Sequence, residues 1–241
     1  MKQRIDKLLA DRGLVPSRER AQALVLAGRV LVNEQKVEKP GTSVDAECAI
    51  RLLGEDLKYV SRGGLKLERA LEHWKIDLEG KICIDVGAST GGFTDCMLQH
   101  GAAKVIAVDT GYGQIDMKLR NDPRVVLHEK TNARYLKAED IGATAEFLAM
   151  DVSFISATLV LPAMVGAAQP RELVVLVKPQ FEAGREKVGK GGIVRDENAQ
   201  RMAVEKVSGA LTELGYRVQD AIDSPILGAE GNREFLLYGS R

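Results

Sequence analysis

Apolar residues recur along this chain in two rhythms. In the first part they are spaced as helix stripes. Ile5, Leu8 and Leu9 share one face and Gly13 ends the run. Ser17 is placed to cap a second helix, whose stripe is Ala21, Leu24 and Val25 and whose stop is Gly28. Val30-Leu31-Val32, the polar Asn33-Glu34-Gln35 and Lys36-Val37 predict a short hairpin. After a turn at Pro40-Gly41-Thr42, Cys48 to Leu53 predicts a last strand of this part. From Ile82 onward the apolar runs become short and nearly continuous, which is the pattern of parallel strands buried on both faces. They cover Ile82–Val86, Val105–Val108, Val125–Glu129, Glu146–Met150 and Leu173–Val177. Helical patterns flank them: Leu65 to Trp74, with Leu67, Ala70, Leu71 and Trp74 inward; Phe93 to Gln99; and Ala199 to Leu214. Tyr216–Asp220 and Glu234–Tyr238 close the chain as strands.

Strands alternating with helices predict an α/β fold with a mostly parallel sheet. The earlier helix-then-hairpin part predicts a small separate α+β domain. Gly54 to Lys58 reads as the linker, so the domains are expected at 1–58 and 59–241.

Composition narrows the class little. With 45% hydrophobic and 28% charged residues among 241, the chain can bury a substantial core. The net charge of zero means that any nucleic-acid surface has to be a local patch. Residues 1–36 supply one: eight basic residues against four acids, +4 in all. The cysteines, Cys48, Cys83 and Cys96, form no Cys-x-x-Cys pair, and the expectation is a reducing compartment and no bound metal. The amino terminus lacks the apolar core of a signal peptide. The longest mostly apolar stretch, Ala157 to Ala168, is too short to span a bilayer and is broken by Thr158, Pro162 and Gly166. A cytoplasmic protein without stable membrane insertion is expected.

The chemistry gathers at strand ends. Asp85-Val86-Gly87-Ala88-Ser89-Thr90-Gly91-Gly92-Phe93 is a glycine-rich turn between a strand and a helix. Ser89 stands where the dinucleotide fingerprint needs glycine, which disfavours an NAD-type oxidoreductase. Asp109 ends the second strand, where folds of this kind hold ribose hydroxyls. Thr131-Asn132-Ala133-Arg134 follows the third. Asp151 and Lys178 stand at the carboxyl ends of the fourth and fifth strands, the ligand edge of an open α/β sheet. The stretch Glu182 to Asn198 carries Arg185, Lys187, Lys190 and Arg195 among glycines and predicts a basic, mobile loop beside that edge.

Asp85 to Asp95 resembles the S-adenosylmethionine (AdoMet) loop of Rossmann-like methyltransferases, especially the RNA ribose methyltransferases related to FtsJ. That resemblance implies a class I methyltransferase domain with a mostly parallel seven-stranded sheet and an antiparallel last strand. It implies AdoMet as cofactor, held by Asp85, Gly87, Ala88, Ser89, Gly91, Gly92, Phe93, Asp109, Asn132 and Asp151. Lys66, Asp151, Lys178 and Glu234 match, residue by residue, the Lys-Asp-Lys-Glu tetrad of the FtsJ-like 2′-O-methyltransferases. In that reading Lys178 is the general base, oriented by Asp151 and Glu234. A ribose oxygen is the expected acceptor, because the tetrad itself offers no stacking clamp for a flipped base.

Arg4-Ile5-Asp6-Lys7, Ser17-Arg18-Glu19-Arg20 and Gly28-Arg29-Val30 resemble the αL RNA-binding module of the ribosomal-protein-S-four type. The resemblance implies RNA contacts from Arg4, Lys7, Arg18, Arg20 and Arg29, joined on the second domain by Arg62, Arg185, Lys187 and Lys190. Taken with Ser-Arg-Gly-Gly-x-Lys-Leu, Met-Asp-Val-Ser-Phe-Ile and Val-Lys-Pro-Gln-Phe-Glu, the whole chain is similar to the TlyA/haemolysin-A-like family. This implies an AdoMet-dependent 2′-O-methyltransferase of ribosomal RNA, acting within a ribosomal subunit. A membrane-active haemolysin would need a long amphipathic or apolar segment, and a non-catalytic RNA-binding protein would not need the tetrad.

Overall fold

The computed structural model describes residues 2–15, 17–53, 58–142, 144–228 and 231–241, the side chain of Arg185 excepted. The chain divides into two compact units, residues 1–56 and 57–241. The expected linker at Gly54–Lys58 lies, apart from Lys58, outside the described residues.

The first unit runs β1 (Lys2–Arg4), α1 (Ile5–Asp11), α2 (Arg18–Leu26), β2 (Val30–Val32), β3 (Gln35–Lys36), β4 (Ser43–Asp45) and β5 (Ile50–Leu52). Its helices begin and end as their sequence requires. Ser17 Oγ accepts a hydrogen bond from the Arg20 amide at 3.2 Å, and Gly28 leaves α2 with φ +65°. Asn33 and Glu34 both take positive φ, the geometry that lets a two-residue loop join twisted strands. Strand β2 pairs antiparallel with both β3 and β5. Strands β1 and β4 pair with one another, which the polar Lys2-Gln3-Arg4 and Ser43-Val44-Asp45 did not advertise. Ile5, Leu8, Leu9, Ala21, Leu24, Val25 and Val30 form the core of the unit.

The second unit begins with α3 (Gly63–Trp74) and continues β6 (Ile82–Val86), α4 (Gly92–Gln99), β7 (Lys104–Val108), α5 (Met117–Arg120), β8 (Val125–His128), α6 (Ala138–Ile141) and β9 (Phe147–Met150). Then come α7 (Leu161–Ala168), β10 (Glu172–Val177), α8 (Pro179–Glu182), α9 (Glu197–Glu213), β11 (Arg217–Val218), β12 (Ile222–Asp223) and β13 (Phe235–Ser240). The sheet order is β11-β13-β10-β9-β6-β7-β8, with β12 on β13 as an eighth strand among the described residues. Strands β8, β7, β6, β9 and β10 are parallel, and β13 runs antiparallel to β10.

Alternate residues of the central strands feed two hydrophobic layers. Ile84, Ile106, Leu148 and Val175 face a layer with Leu161, Met164 and Val165 of α7 and Ala203, Val207 and Leu211 of α9. Cys83, Val105, Phe147 and Val174 face Leu67 and Leu71 of α3 and Phe93 and Met97 of α4. Both faces of the sheet are thus covered, which explains the unbroken apolar runs. Within the stretch Ala157–Ala168, a 3-10 turn at Ala157–Leu159 precedes the packed helix α7. The expected strand at Tyr216–Asp220 shrinks to two residues, because Tyr216 turns inward and donates its hydroxyl to the Pro170 carbonyl at 2.6 Å.

Candidate active site

The glycine turn sits between β6 and α4. Gly87 has φ +90°, and a Cβ there would fall on the carbonyl oxygen of Asp151, so the β6 and β9 ends approach as only glycine permits. Asp85 is fully buried beneath the turn. One of its oxygens accepts from Thr94 Oγ1 at 2.6 Å; the other has no hydrogen-bond partner among the described residues. Burial pushes the Asp85 carboxyl up to about 7. Asp109 at the end of β7 accepts from the amides of Ser89 at 2.8 Å and Gly111 at 2.6 Å. Those two bonds tie the turn to the neighbouring strand and leave lone pairs on each oxygen.

A cleft of about 520 Å³ opens over these strand ends. Gly87, Ser89, Asp109, Asn132 and Asp151 line it, with Val108, Ala133, Ile155 and Val160 as apolar walls. Ala88, Gly91, Gly92 and Phe93 are buried and stand outside that lining, as does Asp85. The donor set suits AdoMet: apolar walls beside Asn132 for a flat base, a carboxylate for ribose hydroxyls, and acidic groups for a cationic end. Its volume falls within the range of small-molecule sites.

A second cavity of about 350 Å³ is lined by Lys66, Lys178, Gln180, Phe181, Asn232 and Glu234, and it shares Ser153 and Phe154 with the cleft. The four residues of the expected tetrad therefore converge, in two ion pairs. Lys66 Nζ meets Glu234 Oε2 at 2.5 Å, and Lys178 Nζ meets Asp151 Oδ1 at 2.5 Å. Lys178 also donates to Ser153 Oγ at 2.8 Å. This corrects one expectation: Glu234 holds Lys66, while Asp151 and Ser153 orient Lys178. Glu234 also stands just before β13 rather than at its first residue. Lys66 shares a helix with Arg69 and His73, which are exposed, yet it is itself buried.

Lys66 reaches the site because α3 starts hard against the glycine turn. A Cβ on Gly64 would enter the ring of buried Tyr59, and one on Gly92 would meet Ser61 and Gly64. Asp95 of α4 accepts from the Val60 amide at 2.9 Å, fixing the same approach. Asn232 accepts from the Val194 amide at 3.0 Å and donates to the Gly192 carbonyl at 2.9 Å, pinning the glycine-rich loop beside Glu234.

Sequence reasoning missed the aromatic part of the site. Phe154 is 92% exposed with φ +64°, and its ring centroid lies 5.4 Å from that of Phe181. A large side chain in the left-handed region next to a ligand edge marks strain retained at a site. The four tetrad residues carry no aromatic ring, and this pair of rings stands beside them. The signal lay in Asp-Val-Ser-Phe and Lys-Pro-Gln-Phe, where each phenylalanine follows a tetrad residue by three positions.

The expected RNA contacts fall out unevenly. Arg4, Lys7, Arg18, Arg62, Lys187 and Lys190 are exposed, and Arg20 is half-buried. Arg29 donates from Nε to the Leu53 carbonyl at 2.7 Å, a bond that closes the first unit. The Arg185 side chain lies outside the described ones. Burial pushes the Cys83 and Cys96 thiols up to about 12, so neither is a nucleophile at neutral pH. Among the described residues no cluster of His, Cys, Asp or Glu is fit to hold a metal, and no helix is long and apolar enough to cross a membrane.

A mostly parallel sheet with an antiparallel strand inserted near one edge, and a cleft over its carboxyl ends, defines a Rossmann-like class I methyltransferase fold. Within that class the chain belongs to the FtsJ-like methyltransferase family, which residues 59–241 match, while residues 3–48 match the S4 domain. The 16S/23S rRNA (cytidine-2′-O)-methyltransferase TlyA of Mycobacterium tuberculosis is 45% identical, over 98% of this chain and 88% of that protein. Hemolysin A of Brachyspira hyodysenteriae is 42% identical over 98% of both. The solved structure of a suspected hemolysin from Streptococcus thermophilus superposes with a TM-score of 0.77 at 45% identity, over 100% of this chain and 88% of that one.

Proposed function

We propose that this chain transfers the methyl group of AdoMet to a ribose 2′-hydroxyl of ribosomal RNA, presented within a ribosomal subunit in the cytoplasm. The observation that carries the reading is the pair of ion pairs, Lys66–Glu234 and Lys178–Asp151, at the cavity that adjoins the cleft. A relative of 45% identity named as a cytidine-2′-O-methyltransferase supports the same acceptor atom.

AdoMet supplies the methyl group. Asp109 would hold the ribose hydroxyls of the cofactor, Asn132 the edge of its base, and the backbone of Gly87 and Ser89 its remainder. Asp85, Ala88, Gly91, Gly92 and Phe93 act from behind, shaping the turn. Methyl transfer is an in-line displacement, so the acceptor oxygen has to be held close and aligned. Lys178, acting as the neutral amine, would take the hydroxyl proton as the new C–O bond forms and the methyl–sulfur bond of the sulfonium breaks, the thioether leaving with the electron pair. Asp151 and Ser153 hold that amine in place. Lys66 and Glu234, lining the same cavity, offer a donor and an acceptor for the ribose. Phe154 and Phe181 present aromatic faces to the attached base, and the basic residues of the first unit dock the surrounding RNA.

Labelled AdoMet incubated with separately purified small and large ribosomal subunits, followed by nucleoside analysis, tests the proposal. A 2′-O-methylated nucleoside from one or both subunits is expected. Label found only in methylated bases, or in neither RNA, would overturn it.

A further inference from the structure

Asp6 is fully buried in the first unit, and its carboxylate is crowded with donors. Arg4 grips it with two nitrogens, Nε to Oδ1 at 3.0 Å and Nη2 to Oδ2 at 2.9 Å. Arg18 Nε and Gln22 Nε2 each donate to Oδ2 at 3.0 Å, and the Lys7 amide to Oδ1 at 2.9 Å. The Arg4 hydrogen bonds hold the Asp6 carboxyl well below the usual carboxylate range, against the opposing effect of burial. Closing a helix start needs one such bond, not two guanidinium groups drawn from different segments.

The charges do not cancel, since two cations meet one anion. Nor are the arginines hidden: the side chain of Arg4 is 51% exposed and that of Arg18 is 48% exposed. Arg18 is held through Nε alone, and Arg4 keeps Nη1 free of any hydrogen bond among the described residues. A buried acid thus fixes the stems of two arginines and leaves donor ends in water.

We propose that Asp6 is a positioning residue that gathers Arg4 and Arg18 into a single preformed clamp for a backbone phosphate of the RNA. This rests on the RNA-docking reading of the first unit. A phosphodiester presents two free oxygens and suits planar guanidinium donors, which a lysine ammonium matches only as a point charge. An arginine that is free in solution loses rotamer freedom on binding; one already held by Asp6 has lost most of it on folding. The contact orients the RNA without reading its sequence.

The test uses the full-length protein and purified small and large ribosomal subunits. The double variant Arg4→Lys/Arg18→Lys keeps the charge and removes the forks. It is expected to raise Kd by roughly tenfold, the scale of one lost charge-assisted contact, with unchanged dependence on salt and unchanged AdoMet affinity. Asp6→Asn should weaken binding in the wild-type background and add nothing in the double-lysine background. Wild-type affinity in the double-lysine variant would overturn the clamp, as would a full further loss on adding Asp6→Asn to it. Wild-type affinity in Arg4→Ala/Lys7→Ala/Arg18→Ala/Arg20→Ala would instead remove the docking reading itself.

Discussion

Lys66 and Glu234 stand 168 residues apart in the chain and meet at 2.5 Å, with side chains only 10% and 2% exposed. Each charge is out of water and depends on the other. Glu234→Ala leaves a buried ammonium unpaired and is expected to destabilise the second unit by about 3–5 kcal/mol, measured by denaturant unfolding. Lys66→Met/Glu234→Leu should recover most of that stability, because the apolar pair needs no desolvation. It should not recover methyl transfer. Recovery of both would reduce the pair to a structural staple.

Asp85 makes stability depend on pH in an unusual direction. Its carboxyl titrates near about 7 in the folded chain, above its ordinary value of 3.8. Between those values only the folded state keeps the proton. Stability contributed there is complete below about pH 4, falls as pH rises, and is gone above about 7, on the order of 4 kcal/mol at the upper bound. Asp85→Asn keeps an acceptor for Thr94 and should flatten that slope. Unfolding curves at pH 5 and pH 8 check it; equal slopes in the two proteins would exclude Asp85 as the source.

Asp109 is a proposed cofactor contact that also braces the turn. Replacing it by alanine frees the Ser89 and Gly111 amides and removes the acceptor for ribose hydroxyls. AdoMet affinity is expected to drop by about 1–3 kcal/mol in calorimetry, the cost of stranding polar partners. Unchanged affinity would place the ribose elsewhere in the cleft.

What was legible in the sequence follows from what each element answers to. The buried strands were legible because both faces of the sheet are covered, so β6, β7, β9 and β10 carry a nearly continuous apolar signal. Asp151, Lys178 and Glu234 were legible as charged residues at strand ends, and Lys66 as one that could reach the same edge from its helix. Their pairing was not, since nothing local distinguishes Glu234 holding Lys66 from Glu234 holding Lys178. Strands β1 and β4 were invisible because each is three residues long and polar, held by the other rather than by a pattern. Phe154 was invisible for a different reason: its exposure and positive φ belong to the site, where local rules are broken.

Lys178 carries the sharpest prediction. It follows five buried residues of β10, Leu173 to Val177, so its place in the chain is not a surface one. Its amine is held by Asp151 at 2.5 Å and Ser153 at 2.8 Å, and the side chain lines the second cavity. Removing the amine takes away the proposed proton acceptor and little of the binding surface. Lys178→Ala is therefore expected to lower kcat by roughly 10²–10⁴, the range for a lost general base. Affinity for AdoMet and for ribosomal subunits should change little, because the loss falls on the transition state. Single-turnover assays with labelled AdoMet measure the first, and calorimetry and filter binding the second. Residual product should still resist alkali as a dinucleotide, because the remaining residues hold the same ribose oxygen. Near-normal turnover would show that another group takes the proton, and Asp151 would be the next to replace.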